Sequence, residues 1–545
     1  MRIRLTASEA AFERSLVHII QLYVEKPEVD YILSAGGLTS SSESARLTAA
    51  GEELDYDAVI HLNVVDRQGL LASGEETVTE RELFVTGKLE LYNDQKLTET
   101  HQMKHARVVP AGSTYEQYRK QVKNGLCQAL LRVLTDWTGI EQPWGILTGI
   151  RPTKLVHEAR RKGLSREQMR RMLKEDYVVT DEKIALMERI VDRQLTALPD
   201  LDELHKELSI YIGIPFCPTK CAYCTFPAYD INGRQGSVHS FLGGLHYEMR
   251  EIGKFLKEQG IRITTIYYGG GTPTSITAEE MDMLYEEMYE SFPDVEQVRE
   301  ITVEAGRPDT ITPEKLQVLK KWNIDRISIN PQSYIQDTLE LIGRDHTVEE
   351  TINKYRLAKE MGMNNINMDL IIGLPGEGLP EFEHILQETE KLMPESITVH
   401  TLSFKRASEM TRHRGEAKYK VADREEIGRM MLLASEWTDS HGYDPYYLYR
   451  QKNILGNLEN VGYSIPGTES LYNILIIEEI HTIVGLGCGA SSKWVHPETG
   501  VITRYANPKE PKVYNDNYVE VTQKKIEMLR ELYGNRETSP SKALS

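Results

Sequence analysis

Residues 206–410 predict an α/β fold built around a parallel barrel, or part of one. Between Ser209 and about Phe404 a short β-rich run, a polar loop and an amphipathic helix recur. Six such runs alternate with helices in one direction, which requires right-handed crossovers and a parallel sheet. The unusual residues also fall just after the strands, on the face where loops of such barrels assemble a site.

Upstream, residues 1–112 read as a small α+β domain. It holds a helix over Glu9–Glu25 and alternating runs at Ala58–Val65, Glu80–Thr86 and Leu89–Leu97. A helical linker region, 113–205, follows with helices at Tyr115–Thr138 and Ser165–Leu195. Between them, Gly145 to Lys154 is a glycine-punctuated turn with two cations, Arg151 and Lys154. It suits either a cap for a helix beginning after Pro152 or a ligand-binding loop. Cys127, among helical core positions, reads as buried and inert.

Within the barrel the strands are expected at Ser209–Phe216, Ile263–Tyr268, Glu300–Glu304, Arg326–Ile329, Ile366–Ile372 and Ile397–Phe404. The helices are expected at Ser240–Glu258, Ala278–Ser291, Pro313–Trp322, Val348–Lys359 and Glu381–Met393. Residues 411–545 form a C-terminal domain with a helix at Ala422–Thr438. Tyr446–Gln451 and Ile474–Ile483 suit extensions of the sheet, and a disordered tail is expected after about Arg536. Cys488 sits in Gly485-Leu486-Gly487-Cys488-Gly489-Ala490, where backbone approaches something closely, either packing or a cofactor.

The chain has 64 basic and 82 acidic residues, a net charge of −18, which disfavours nonspecific nucleic-acid binding. No run approaches the roughly 20 apolar residues of a spanning helix, and the N-terminus has no signal-peptide pattern. Only five cysteines occur, and three crowd into one loop. That usage reads as a reducing, cytoplasmic setting.

Those three, Cys217, Cys221 and Cys224, stand at CxxxCxxC spacing on the loop after the first strand. Four-iron clusters are usually held by four thiolates, so three leave one iron open to another ligand. A zinc knuckle would need a fourth ligand, and the loop contains no histidine. After the second strand comes Gly269-Gly270-Gly271-Thr272-Pro273-Thr274. Glu304 and Gly306 end the third, Gln332 follows the fourth, and Asp369 with Gly373-Leu374-Pro375-Gly376 closes the fifth.

With Tyr211-Ile212-Gly213-Ile214-Pro215-Phe216 before the cysteines, Leu341-Ile342-Gly343-Arg344 and Asp369-Leu370-Ile371-Ile372, these motifs resemble radical S-adenosylmethionine (SAM) enzymes. More narrowly they resemble the oxygen-independent coproporphyrinogen III oxidase group. The long N-terminal extension, Cys224-Thr225-Phe226-Pro227-Ala228-Tyr229 and the Gly149-Ile150-Arg151-Pro152-Thr153-Lys154 turn look most like its HemZ-type coproporphyrinogen dehydrogenases.

The resemblance implies a partial (β/α)6 radical SAM barrel and a [4Fe-4S] cluster on Cys217, Cys221 and Cys224 with an open iron that chelates SAM. It implies SAM contacts from Tyr211, Tyr223, Gly270, Gly271, Thr272, Glu304, Gln332, Arg344, Asp369 and Ile371, although Tyr211 and Tyr223 also suit plain core. The implied activity is oxidative decarboxylation of coproporphyrinogen III to protoporphyrinogen IX by a 5′-deoxyadenosyl radical, in haem biosynthesis. A flavodoxin- or ferredoxin-like one-electron donor would serve it, and Arg151, Lys154, Lys405, Arg406, Arg412 and Arg414 are candidates for the tetrapyrrole carboxylates. A haem-binding chaperone, or a methylase or ring-forming enzyme on another substrate, shares the same scaffold. The sequence departs from the best-known members at Phe226 and Gly213, where they carry a cysteine and a histidine, and at Leu471-Tyr472-Asn473, where they carry a His-Asn motif.

Overall fold

A computed structural model describes the chain except residues 8–9, 25, 34–55, 67–78, 150, 226–227, 232–235, 405–407, 414–415, 452–453, 455–456 and 535–545. The expected tail after Arg536 therefore lies outside the described residues. The chain divides into two compact units, Met1–Met187 and Glu188–Ser545.

The first unit carries a five-stranded sheet of β1 (Arg2–Ala7), β2 (Glu28–Leu33), β3 (Ala58–Asp66), β4 (Arg81–Asn93) and β5 (Lys96–Val109), in the order β2-β1-β3-β4-β5. A helix, Tyr115–Thr138, started by a Thr114–Gln117 capping box, packs on β3, β4 and β5. The expected break between Thr86 and Leu89 is absent. Gly87 lies inside β4, where a Cβ would stand 3.1 Å from Ala129 O, so this glycine serves close approach of the helix. The turn comes later, at Asp94 and Gln95, both at positive φ. Likewise the helix expected over Ser165–Leu195 is two helices, Arg166–Tyr177 and Asp181–Ala197, parted at Val178 with φ 58°. The Gly145 turn packs on the first of these: the Ile146 amide donates to Tyr177 O at 2.9 Å, and the helix Thr153–Arg161 follows Pro152.

In the second unit the chain lays down β6 (Leu208–Ile214), β7 (Phe216–Cys217), β8 (Tyr229–Asp230), β9 (Ile263–Gly270), β10 (Glu300–Val303), β11 (Arg326–Ser328), β12 (Ile366–Ile372) and β13 (Ser396–Thr401). The strands β6-β9-β10-β11-β12-β13 pair in that order and all in parallel. Their near-continuous apolar runs are buried on both faces, as parallel strands under helices must be. The crossover helices include Val238–Gln259, Ala278–Ser291, Pro313–Lys321, Val348–Glu360 and Leu379–Glu390. Side chains of Ser237, Thr277, Thr312 and Thr347 cap four of them, each satisfying an otherwise orphaned amide. The parallel core is thus an open, partial (β/α)6 barrel.

Both ends of this sheet are extended by the C-terminal residues: β14 (Asp444–Tyr449) and β15 (Asn460–Ser464) beyond β13, and β16 (Thr482–Gly487), β17 (Ser491–Val495) and β18 (Ile502–Ala506) beyond β6. The expected strand over Ile474–Ile483 is corrected. Leu471–Glu478 is a helix capped by Ser470, and the strand starts only at Thr482. Ile474 and Leu475 are buried and Ile476 and Ile477 half-buried, and an apolar run without periodicity does not distinguish helix from strand. A final helix, Pro511–Tyr533, packs on Val238–Gln259. Lys525 from it pairs with Glu248, both fully buried, and Glu248 also accepts from Tyr514 Oη and the Gly487 amide.

Candidate functional site

The carboxyl ends of β6 and β9–β13 surround a cavity of about 430 Å³. Cys217, Cys221 and Cys224 line it from one side, and Gly270, Gly271, Thr272, Glu304, Gln332, Arg344, Asp369, Ile371 and Tyr223 also line it. The structure thus brings the three cysteines and every residue expected to contact SAM except Tyr211 to one cavity. Tyr211 lies one layer back, stacked on Tyr267 at 6.1 Å and Tyr472 at 6.3 Å between ring centroids.

The cysteine loop is rooted by the glycine turn. The amides of Gly271 and Thr272 donate to Ile214 O at 2.7 Å and Phe216 O at 2.8 Å. A Cβ on Gly271 would stand 2.6 Å from Phe216 O. These two amides hold the backbone that leads into Cys217, and only glycine at 271 lets the two segments approach so closely. On the other side, the Ala222 amide donates to Ile342 O at 2.9 Å, so the Leu341–Arg344 turn clasps the loop. Arg344 donates to Gly306 O at 3.1 Å, Asn330 O at 3.3 Å and Tyr223 Oη at 3.2 Å.

Cys217 Sγ lies 3.3 Å from Thr272 Oγ1, and burial pushes its thiol up to about 11. A metal's charge would be needed to keep it as thiolate at neutral pH. Arg307 NH1 approaches Cys221 Sγ at 3.9 Å. Among the described residues no three His, Cys, Asp or Glu side chains close on a single metal ion. Three thiols spread around one cavity wall, with a guanidinium beside one of them, suit a larger anionic cluster of thiolate-bound iron.

The opposite wall is polar. Glu304 accepts from Tyr267 Oη at 2.5 Å. Burial pushes its carboxyl up to about 7, and the charge of Asp369 adds to the rise against the Tyr267 hydrogen bond. Asp369 is half-buried, and the loss of water around it alone would raise it, but the charge and hydrogen bond of His400, with Asn367 and Thr398, hold it below the usual carboxylate value. His400 Nε2 stands 3.5 Å from Asp369 Oδ2, and its Nδ1 3.1 Å from Tyr449 Oη. Gln332 sits at φ 65°, a left-handed conformation unusual for a non-glycine residue, and its Oε1 is buried without a partner. Arg344 Nε, Ser328 Oγ and Thr302 Oγ1, on the same cavity, are likewise unpartnered. Unsatisfied buried polar atoms facing one cavity are what a polar ligand would complete.

Several lining residues were not read from the sequence. Tyr447, Tyr449, Gln451 and Asn460 come from β14, β15 and their surroundings, and Asn473, Ile476 and Ile477 from the helix Leu471–Glu478. Only the three-dimensional sheet order brings them to the cavity. Of the departures, Phe226 lies outside the described residues, and the other two have packing partners. Gly213 pairs with Gly487, and a Cβ there would stand 3.0 Å from Cys488 O, so a histidine has no room in this packing. Tyr472 stacks on Tyr267 at 4.3 Å. The Cys488 turn is a packing turn, with the thiol donating to Pro508 O at 3.3 Å and Lys509 O at 3.1 Å. Of the proposed carboxylate-binding cations, Lys405, Arg406 and Arg414 lie outside the described residues, Arg412 is exposed, and Arg151 and Lys154 belong to the first unit.

Residues 211–389 match the Radical SAM superfamily. The chain is 65% identical over 429 residues to the oxygen-independent coproporphyrinogen-III oxidase-like protein HemZ of Bacillus subtilis, covering 79% of this chain and 85% of that protein. It is 30% identical over 282 residues to the heme chaperone HemW of the same organism, covering 52% of this chain and 70% of that one. Among solved structures, coproporphyrinogen III oxidase (HemN) from Escherichia coli aligns with a TM-score of 0.47 and 20% identity, covering 60% of this chain and 72% of that one.

Proposed function

On the premise that this chain belongs to the radical SAM superfamily, and within it to the family of the oxygen-independent coproporphyrinogen-III oxidase-like protein HemZ, we propose that it converts coproporphyrinogen III to protoporphyrinogen IX without oxygen. Cys217, Cys221 and Cys224 would hold a [4Fe-4S] cluster. That cluster, with SAM bound, supplies abstraction of hydrogen from an unactivated carbon.

The observation that carries this reading is the convergence on one cavity of the three thiols with Glu304, Gln332, Arg344 and Asp369. An amino-acid moiety has an ammonium and a carboxylate. The half-buried Glu304 and Asp369 are acceptors for the first and for ribose hydroxyls, and Arg344 is a donor for the second. The wall of Tyr447, Tyr449, Asn460 and Asn473 leaves an aromatic, hydrogen-bonding face for a second, larger molecule. Two of the propionates would each lose a β-hydrogen atom, CO2 and one electron to become a vinyl group. A flavodoxin- or ferredoxin-like protein would supply the electrons that start each event.

Similarity to a heme chaperone supports a second reading, in which the same face binds haem and no decarboxylation follows. Anaerobic incubation of iron-reconstituted protein with SAM, dithionite and coproporphyrinogen III deuterated at the propionate β-carbons separates the two. The enzyme reading expects mono- and di-vinyl products and deuterium in the 5′-deoxyadenosine. Stoichiometric haem binding with SAM cleavage but no CO2 would favour the chaperone.

A further inference from the structure

Arg307 was not read as a site residue from the sequence, yet its side chain is 4% exposed and lies against the cysteine loop. Its guanidinium is divided between two tasks. Nε and NH2 form a two-pronged pair with Asp309 at 3.1 and 3.0 Å. NH1, on the other side of the fork, donates to Thr219 O at 3.2 Å and points to Cys221 Sγ at 3.9 Å. The backbone beneath is fixed as well: the Thr310 amide and hydroxyl both return to Arg307 O, at 3.0 and 2.8 Å, and Thr310 Oγ1 bonds Thr274 Oγ1 at 2.6 Å. The fork is therefore oriented with its carboxylate partner away from the sulfur and its cationic N–H toward it. Cys217 Sγ has instead the neutral hydroxyl of Thr272 beside it at 3.3 Å. Arg344, the other guanidinium nearby, spends NH2 on Tyr223 Oη.

We propose that Arg307 is a positioning residue that fixes the Cys221 side of the cluster loop and raises the reduction potential of the cluster bound there, with Asp309 limiting the rise. This rests on the cluster reading given above. One-electron reduction adds a negative charge to the iron–sulfur group, and a cation and hydrogen bond at a ligating sulfur favour the reduced form. A carboxylate paired to that cation opposes it. The two partners therefore push the potential in opposite directions, which a purely structural pair would not do.

The test is an anaerobic dithionite titration followed by electron paramagnetic resonance, with iron and sulfide counted in each sample. Arg307→Gln should retain iron and shift the reduction equilibrium about tenfold toward the oxidised form, about 59 mV lower. Asp309→Asn should shift it the other way. Unchanged potentials in both variants, or shifts of the same sign, overturn the proposal. If Arg307→Gln loses iron, the decision passes to Asp309→Asn, whose failure to rise overturns it. Failure of the unsubstituted protein to take up any cluster sinks the cluster reading itself, and this inference with it.

Discussion

The hydroxyl of Tyr267 donates to Glu304 Oε1 at 2.5 Å, on a carboxylate whose burial and nearness to Asp369 push it up to about 7. Near neutral pH this group is therefore poised between acid and carboxylate. An ammonium arriving beside it would favour the charged form and expel a proton.

The first prediction follows from that poise. SAM affinity should rise as pH increases from 6 to 8, and calorimetry in buffers of different ionisation enthalpy should detect protons released on binding. Glu304→Gln should weaken binding and flatten the pH dependence. Stability should respond with the opposite sign. A raised carboxylate pKa contributes stability below the ordinary value, which is lost as pH climbs through about 7. The gain in Tm of Glu304→Gln over the unsubstituted protein should therefore be larger at pH 8 than at pH 5.

Much of this site was legible in the sequence because its residues follow strands. Once Ile366–Ile372 is read as a strand, Asp369 and Ile371 are placed, and the same holds for Glu304 after β10. Arg307, Tyr267 and His400 were not legible. Tyr267 and His400 lie within strand runs, where pattern reports burial and not partners, and Arg307 follows a motif whose glycine drew attention instead. Tyr449 could not have been placed at all, since β14 reaches the cavity only through its pairing with β15 beyond β13, and Asn473 comes from the helix Leu471–Glu478. In the first unit, the runs Glu80–Thr86 and Leu89–Leu97 are one strand, with Gly87 between them making room for Ala129.

Cluster content should depend on Cys217, Cys221 and Cys224 and on neither of the other cysteines. Neither Cys127, buried in the helix Tyr115–Thr138, nor Cys488, whose thiol donates to Pro508 O and Lys509 O, lines the cavity. Alanine at any member of the triad should cost most of the iron and the brown colour, whereas Cys127→Ala and Cys488→Ala should keep both. Indispensability of either outside cysteine would reverse the ligand assignment.

Gly271→Ala should damage the same property from a distance. Its Cβ would sit 2.6 Å from Phe216 O, forcing apart the two segments that root the loop. Overpacking of this kind costs about 1–3 kcal/mol. We expect a lower Tm and incomplete iron loading, while Gly243→Ala, with open space around its Cβ, should behave as the unsubstituted protein.

Asp369→Asn should weaken SAM binding with iron content intact, because the Asp369 carboxylate pairs with Asn367 and His400, neither of them on the cysteine loop. Loss of a charge-assisted hydrogen bond of about 1.5–3 kcal/mol corresponds to about ten- to a hundred-fold in affinity. Arg344→Ala should differ. Its guanidinium also holds Tyr223 and Gly306, so SAM affinity and cluster retention should fall together. A variant pair that behaved alike in iron content would contradict this division.

The last prediction concerns the wall that faces away from the cysteines. Glu300, 4% exposed at the start of β10, accepts from Ser470 Oγ at 3.0 Å and from the amides of Leu471 and Tyr472 at 2.8 and 3.1 Å. It thereby caps the helix Leu471–Glu478, which carries Asn473, Ile476 and Ile477 to the cavity and Tyr472 onto Tyr267. A carboxylate at a helix N-terminus satisfies orphaned amides and favours the helix dipole. Burial nevertheless raises the Glu300 pKa, with the charge of Arg326 and these hydrogen bonds opposing the rise. Glu300→Ala leaves amides unsatisfied in the core and should lower stability by about 1–3 kcal/mol. Because the helix contributes none of the proposed SAM contacts, SAM binding and cluster content should persist while coproporphyrinogen turnover falls, chiefly through KM. An equal loss of SAM affinity would show that this helix supports the whole cavity and not the substrate face alone.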